Sequence, residues 1–239
     1  MIAVVTGGTR GIGRAVAGRL AALGAERLYL GYVQDDGAAE ACARDLGERV
    51  RLIRENLADP DGVDAFAARI GEDVDVLVHA AALGAFKPLL DLRPNQWDLT
   101  MNVCARSFPL LLQRLRPRLL PRRARVVAIS SLGSSRVVPS YGVLGVSKAA
   151  LESAVRYAAH ELAPHGVRVN AVAAGLVESP VLEILREKGV DVEAARRMTP
   201  MGRLAEADEV ARVVEFLAGD LSSWVCGQIL VVDGGLSLL

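Results

Sequence analysis

Short runs rich in Val, Ile and Leu recur along the chain at 2–6, 27–32, 50–53, 74–78, 125–130, 167–173 and 228–232. They alternate too little for a strand with one wet face and predict strands buried on both sides. Between most of them lie Ala- and Arg-rich segments with helical spacing, at 11–23, 60–70, 95–115, 142–163 and 206–218. This alternation predicts an α/β chain: a doubly wound parallel sheet of about seven strands with helices on both faces. Residues 176–200 break the pattern. Bracketed by Pro180 and Pro200, charged and weakly helical, they predict a mobile loop over a site, where substrate shape is usually read.

A length of 239 residues predicts a single domain, 1–239, with a large buried core. Lys plus Arg (28) equal Asp plus Glu (28), so no global field draws the protein to nucleic acid or a lipid surface. Cys42, Cys104 and Cys226 form no CxxC or Cys/His cluster, which argues against a disulfide framework or a zinc site. They read as small buried hydrophobes in a reducing cytoplasm. Met1 leads straight into Ile2-Ala3-Val4-Val5, leaving no room for a secretory leader, and no apolar stretch is long enough to span a bilayer, so a cytoplasmic protein is expected. The basic run Arg114, Arg116, Arg118, Arg122, Arg123 and Arg125 reads as a solvated helix end.

Candidate chemistry begins where the first strand ends, at Thr6-Gly7-Gly8-Thr9-Arg10-Gly11-Ile12-Gly13. A glycine turn between strand and helix lets backbone N–H groups and the helix N-terminus approach a pyrophosphate, whose charge the helix dipole favours. An NAD enzyme places a carboxylate about 20 residues beyond the glycines, for the ribose 2′-hydroxyl. Here that position is Gly31, so a 2′-phosphate meets no repulsion and Arg10 can pair with it. NADPH is the expected cofactor and NADH the less favoured one. Tyr32, Val33 and Gln34 supply no second cation, and Asp35 or Asp36 stands either at the ribose or at the start of the next helix.

The turn's Thr-Gly-x-x-x-Gly-x-Gly spacing, the Asn102 segment, Asn170 to Gly175 and Gly227-Gln228 through Gly235 together resemble the short-chain dehydrogenase/reductase family, on a Rossmann-type sheet. The resemblance implies cofactor contacts from Gly7, Thr9, Arg10, Gly11, Ile12 and Gly13, from Asn56 and Leu57 at the adenine, and from Ala80, Gly175 and Val177. It also implies a homotetramer, with 95–115, 142–163 and Leu236 to Leu239 at interfaces. Two positions depart from the family pattern. His79-Ala80-Ala81-Ala82 replaces Asn-Asn-Ala-Gly, removing an amide that braces the sheet; His79 reads as a structural hydrogen-bonder rather than a base. Ala174-Gly175 replaces Pro-Gly, which should loosen the backbone.

Most of the family carries a tyrosine four residues before the lysine. Here that place is Leu144, and Tyr141 stands seven before Lys148, about two helical turns and so on one face. Tyr-(x)6-Lys, with Ser130 to Ser134, Gly145 to Leu151 and Val232 to Leu239, resembles the type III enoyl-acyl-carrier-protein reductases. The catalytic group implied is Tyr141, Lys148, Ser131 and Asn102. Tyr141 would donate to an enolate oxygen, Lys148 would hold the nicotinamide ribose and lower the tyrosine's pKa, Ser131 would orient the site and Asn102 would brace a relay water. The reading is NADPH-dependent reduction of a 2,3-trans-enoyl thioester on acyl-carrier protein or coenzyme A. Its rivals are a ketoreductase on a β-keto thioester or secondary-metabolite ketone, and a dinucleotide sensor that turns nothing over. Arg186, Lys188, Arg196, Arg197 and Arg203 read either as a docking surface for an acidic carrier or as ordinary solvated helix charge.

Overall fold

The computed structural model describes residues 1–188 and 190–238, with the side chains of Pro180, Val181, Glu183 and Ile184 left aside. Gly189, in the expected loop, and Leu239, at the end of the expected interface segment, lie outside the described residues. All seven apolar runs become strands: β1 (Ile2–Thr6), β2 (Arg27–Tyr32), β3 (Val50–Arg54), β4 (Val76–His79), β5 (Arg125–Ser131), β6 (Arg168–Ala174) and β7 (Ile229–Val232). They form one parallel sheet in the order β3-β2-β1-β4-β5-β6-β7. The chain starts in the middle, builds outward to β3 and returns to set β4 on the other side of β1. A crevice opens outside the strand ends at that switch, where open α/β sheets bind ligands.

Helices cover both faces. Packed on one are α1 (Gly11–Ala22), α2 (Asp36–Leu46) and α9 (Ala207–Ala218); on the other are α3 (Pro60–Ala68), α5 (Ser107–Leu119) and α6 (Gly142–Leu162). The buried strand residues alternate between the two cores: Val4 and Leu77 face the second set, Val5 and Val78 the first. Arg19 of α1 ties the first set together through Asp208 and Glu215 of α9, each at 2.7 Å. Among the described residues no helix is long and apolar enough to cross a membrane.

Two expected elements differ. The 95–115 helix is interrupted: α4 (Pro94–Met101) passes into one π-helical turn (Asn102–Arg106) before α5, and the Ser107 N–H donates to Asn102 O, five residues back. The supposed loop 176–200 holds two helices, α7 (Pro180–Glu187) and α8 (Val192–Met198). They form because Leu182, Leu185 and Val192 bury against one another and Leu204, a small core that charge and proline content concealed. The basic run, from the last turns of α5 to the start of β5, is paired with carboxylates at the surface, Arg114 with Asp64, Arg122 with Asp75 and Arg125 with Asp220.

Candidate active site

A cavity of about 800 Å³ occupies the crevice. At one end stands the start of α1. Its N-cap, Arg10, is extended and makes no side-chain cap, so the N–H groups of the first turn have no partner from that side chain. Gly11, Ile12 and Gly13 line the cavity there. Gly11 has φ +51° and a Cβ on it would meet nothing within 4 Å, whereas a Cβ on Gly13 would come within 2.1 Å of Gly7 O. The helix therefore sits directly on the turn and leaves an open cradle of amide donors, which suits an anionic pyrophosphate. Gly7, Arg10 and Ala80 complete this wall, and Gly175 and Val177 line it from the end of β6.

Three expected cofactor residues lie elsewhere. Thr9 is buried and outside the cavity wall. Asn56 is engaged at the start of α3, its amide donating to Asp59 and its carbonyl accepting the Ala58 N–H, both at 3.0 Å. Leu57 belongs to the core beside Phe66. The cofactor-choice position also needs correction. A Cβ on Gly31 would lie 2.7 Å from the Phe66 ring, so packing against that ring, and not only cofactor choice, accounts for glycine there. Of the two acids offered, Asp35 takes the helix-start role, capping α2 through Ala38 N–H at 3.0 Å, and it also stands 3.5 Å from the Arg10 guanidinium.

At the other end Ser131 closes β5, and Lys148 points in from the second turn of α6. Tyr141 is not on the helix face; it is the N-cap, with φ −108°, and its carbonyl takes the Gly145 N–H at 2.8 Å. It still lines the cavity, because the chain enters α6 across Gly133, where a Cβ would lie 2.6 Å from the tyrosine ring. Phe86 backs the ring at 5.9 Å. Leu144 turns into a core with Ala58, Val103 and Cys104. The side chain four before the lysine is thus outside the cavity wall and the one seven before it is in the wall.

The electrostatics correct the expected role of the lysine. Burial pushes the Tyr141 hydroxyl up, and the group pulling it back is Ser131, through a hydrogen bond, not Lys148. Ser131 Oγ in turn accepts the Gly133 N–H at 3.2 Å. Burial lowers Lys148, whose Nζ donates to Ile129 O at 2.7 Å. Asn102 is not in the cavity wall; its backbone carbonyl closes the π turn.

His79 answers the missing brace. Ser107 spends its hydroxyl proton on Val103 O at 2.6 Å and so accepts from Nε2–H at 3.3 Å, which leaves Nδ1 to accept from Thr6 Oγ1 at 3.0 Å, while Thr6 Oγ1 accepts the Ala81 N–H at 3.2 Å. One neutral ring ties β1, β4 and the start of α5 together. Burial, and then the Lys148 charge, lower its pKa from 6.5 to about 3, so it stays neutral. Sequence reasoning passed over Ser130, in the cavity wall, which donates to the buried Glu152 at 2.6 Å; Glu152 lies one turn beyond Lys148, a spacing the sequence displays. It also passed over the apolar wall of Leu176, Leu182, Leu185, Ala195, Met198 and Leu236. The cations offered as a docking surface are largely engaged: Arg186 with Glu193, Arg196 with Glu178, Arg197 with Asp191 and Arg203 with Glu209.

An amide cradle for a dinucleotide at one end, with Ser131, Tyr141 and Lys148 lining the other, is the arrangement of an NAD(P)H-dependent oxidoreductase. The chain belongs to the short-chain dehydrogenase/reductase family. A family profile described as enoyl-(acyl carrier protein) reductase matches residues 7–237. The 1-cyclohexenylcarbonyl-CoA reductase of Streptomyces collinus is 36% identical over 247 residues, covering 100% of this chain and 87% of the relative. The 3-oxoacyl-[acyl-carrier-protein] reductase of Haemophilus influenzae is 31% identical over 241 residues, 99% of this chain and 98% of the relative. A solved short chain dehydrogenase/reductase family protein superposes with a TM-score of 0.90 at 33% identity, over 100% and 98% of the two chains.

Proposed function

We propose that the protein reduces a 2,3-trans-enoyl thioester, on coenzyme A or acyl-carrier protein, with NADPH. The observation that carries the reading is the exchange of Leu144 for Tyr141 in the cavity wall. Reducing a carbonyl puts negative charge on the oxygen of the carbon that accepts hydride. Conjugate reduction puts it on a thioester oxygen two bonds farther away, and a donor set back along the site suits that geometry.

When bound, the nicotinamide supplies hydride to Cβ. The amide cradle at Gly11 to Gly13 holds the pyrophosphate, and Arg10 meets the 2′-phosphate in competition with Asp35. Lys148 leaves Ile129 O to hold the ribose hydroxyls. Tyr141, kept protonated by burial and held in line by Ser131, gives its proton to the enolate oxygen; the enol tautomerises to the saturated thioester and Tyr141 takes a proton back from solvent. The apolar wall around Leu182, Leu185 and Met198 takes the acyl chain and excludes water.

The test is NADPH oxidation with matched thioesters. A crotonyl thioester is reduced at least about tenfold faster, by kcat/KM, than the acetoacetyl one, a gap of ~1.4 kcal/mol in transition-state stabilisation. Tyr141→Phe slows enoyl reduction with little change in NADPH affinity, and Lys148→Ala damages both. A wild type that favours the keto thioester overturns the reading in favour of a ketoreductase, the activity named for the Haemophilus relative. Full enoyl activity in Tyr141→Phe overturns the proton-donor role alone.

A further inference from the structure

The cavity wall carries five charged side chains, Arg10, Arg136, Lys148, Glu178 and Asp191. Four are accounted for. Arg10 faces Asp35 at 3.5 Å, Glu178 takes Arg196 at 3.1 Å, and Asp191 faces Arg197 at 3.8 Å and caps α8. Lys148 is buried on Ile129 O. Arg136 is exposed and has no carboxylate partner among the described residues.

Its position is nevertheless held. One guanidinium N–H donates to Ser237 O at 2.6 Å. Ser237 sits in a tail that Asp233 fastens by accepting the Gly235 N–H at 2.9 Å and the Ser237 N–H at 2.7 Å, and Leu236 of that tail lines the cavity. Arg136 thus bridges the segment after β5 and the C-terminal tail across the cavity, with further donors uncommitted and apolar Val137, Val138 and Pro139 beside it.

A fixed, uncompensated guanidinium beside an apolar wall fits a ligand with an apolar body and an anion at its far end, and its forked donors match phosphate. We propose that Arg136 is the subsite for the phosphate at the end of the substrate's phosphopantetheine arm, the element that coenzyme A and acyl-carrier protein share. This rests on the thioester reading above.

The test measures binding of pantetheine, 4′-phosphopantetheine and coenzyme A to the full chain with NADP⁺ present, by calorimetry. In wild type the 4′-phosphate improves affinity about tenfold, and the gain falls below about twofold in a neutral replacement, Arg136→Gln or Arg136→Met. Equal affinity of the two arms in wild type, or a gain that survives both replacements, overturns the assignment. A gain seen only with coenzyme A overturns it too, because the recognised phosphate then lies on the nucleotide. The thioester reading fails separately. An enzyme that binds the phosphorylated arm tighter and reduces no enoyl thioester keeps the subsite and loses the reaction, and the reverse pair of results removes the subsite alone.

Discussion

His79 shows how much one residue decides here. A buried imidazole is tolerated because both ring nitrogens have partners, and the arrangement requires the neutral ring. Its pKa is about 3 in the fold against 6.5 for the free side chain. The unfolded chain therefore takes up a proton first as pH falls, so this stabilisation is complete above about 6.5 and drains away towards 3. Midway between those two values the loss approaches ~1.4 kcal/mol per pH unit, and it amounts to about 1.6 kcal/mol between pH 6.5 and 5. Urea unfolding at those two values should show that fall in wild type. His79→Phe, which leaves the Thr6 hydroxyl without its acceptor, should cost about 1–3 kcal/mol at neutral pH and lack this part of the slope, so the gap between the proteins narrows in acid. A variant with the full wild-type slope would refute the account.

Arg10 and Asp35 set a second residue-scale expectation, that NADPH binds more tightly than NADH. The carboxylate competes with a 2′-phosphate for the same guanidinium. Arg10→Ala should cost about tenfold in NADPH affinity, and Asp35→Asn should raise the NADPH-to-NADH ratio above wild type. Fluorescence titration of both cofactors decides it. Unchanged ratios in both variants would leave the choice unexplained by this pair. The wrong position was legible for a reason: Gly31 lies at the right distance along the chain, but the strand pleat aims it at Phe66.

At the scale of elements, the glycine turn was readable because its function and its packing make the same demand. Gly13 must be small for α1 to rest on Gly7, and that contact brings the amide donors to the cavity. Gly13→Ala should therefore lower stability by about 1–3 kcal/mol, as overpacking does, and weaken NADPH binding at least about tenfold. A thermal melt and a cofactor titration on the same sample test both; normal affinity in a destabilised variant would separate packing from binding. The π turn and helices α7 and α8 were not readable. A π turn leaves no composition signal, and two helices of seven or eight residues stabilised by one small shared core have too short a period to register. Tyr141 shows the same limit: seven residues from Lys148 implied a shared helix face, and the helix starts one residue later.

For the whole molecule, the cavity draws its walls from the β1 turn, the end of β5, the start of α6 and the C-terminal tail, so occupying it couples both ends of the chain. Thermal unfolding should be one transition, and NADPH at about 100 times its Kd should stabilise it by ~2.7 kcal/mol as a unit. Two transitions, only one responding to NADPH, would overturn the single-domain expectation. What the sequence determined by itself was whatever local periodicity and spacing encode: seven strands, buried except at the sheet edges β3 and β7, the parallel arrangement implied by alternating helices, the glycine turn, and the displacement of tyrosine from the usual place before Lys148. What only the tertiary structure decided was whatever depends on the direction a side chain takes and on its neighbours far along the chain. Burial, not the lysine, governs Tyr141; Gly31 answers to Phe66; His79 braces three elements; and the cations around α8 are largely spent on carboxylates while Arg136 is not. Spacing along a chain is set by covalent geometry and survives into the fold, whereas charge and pKa depend on burial and on partners that only packing brings within reach.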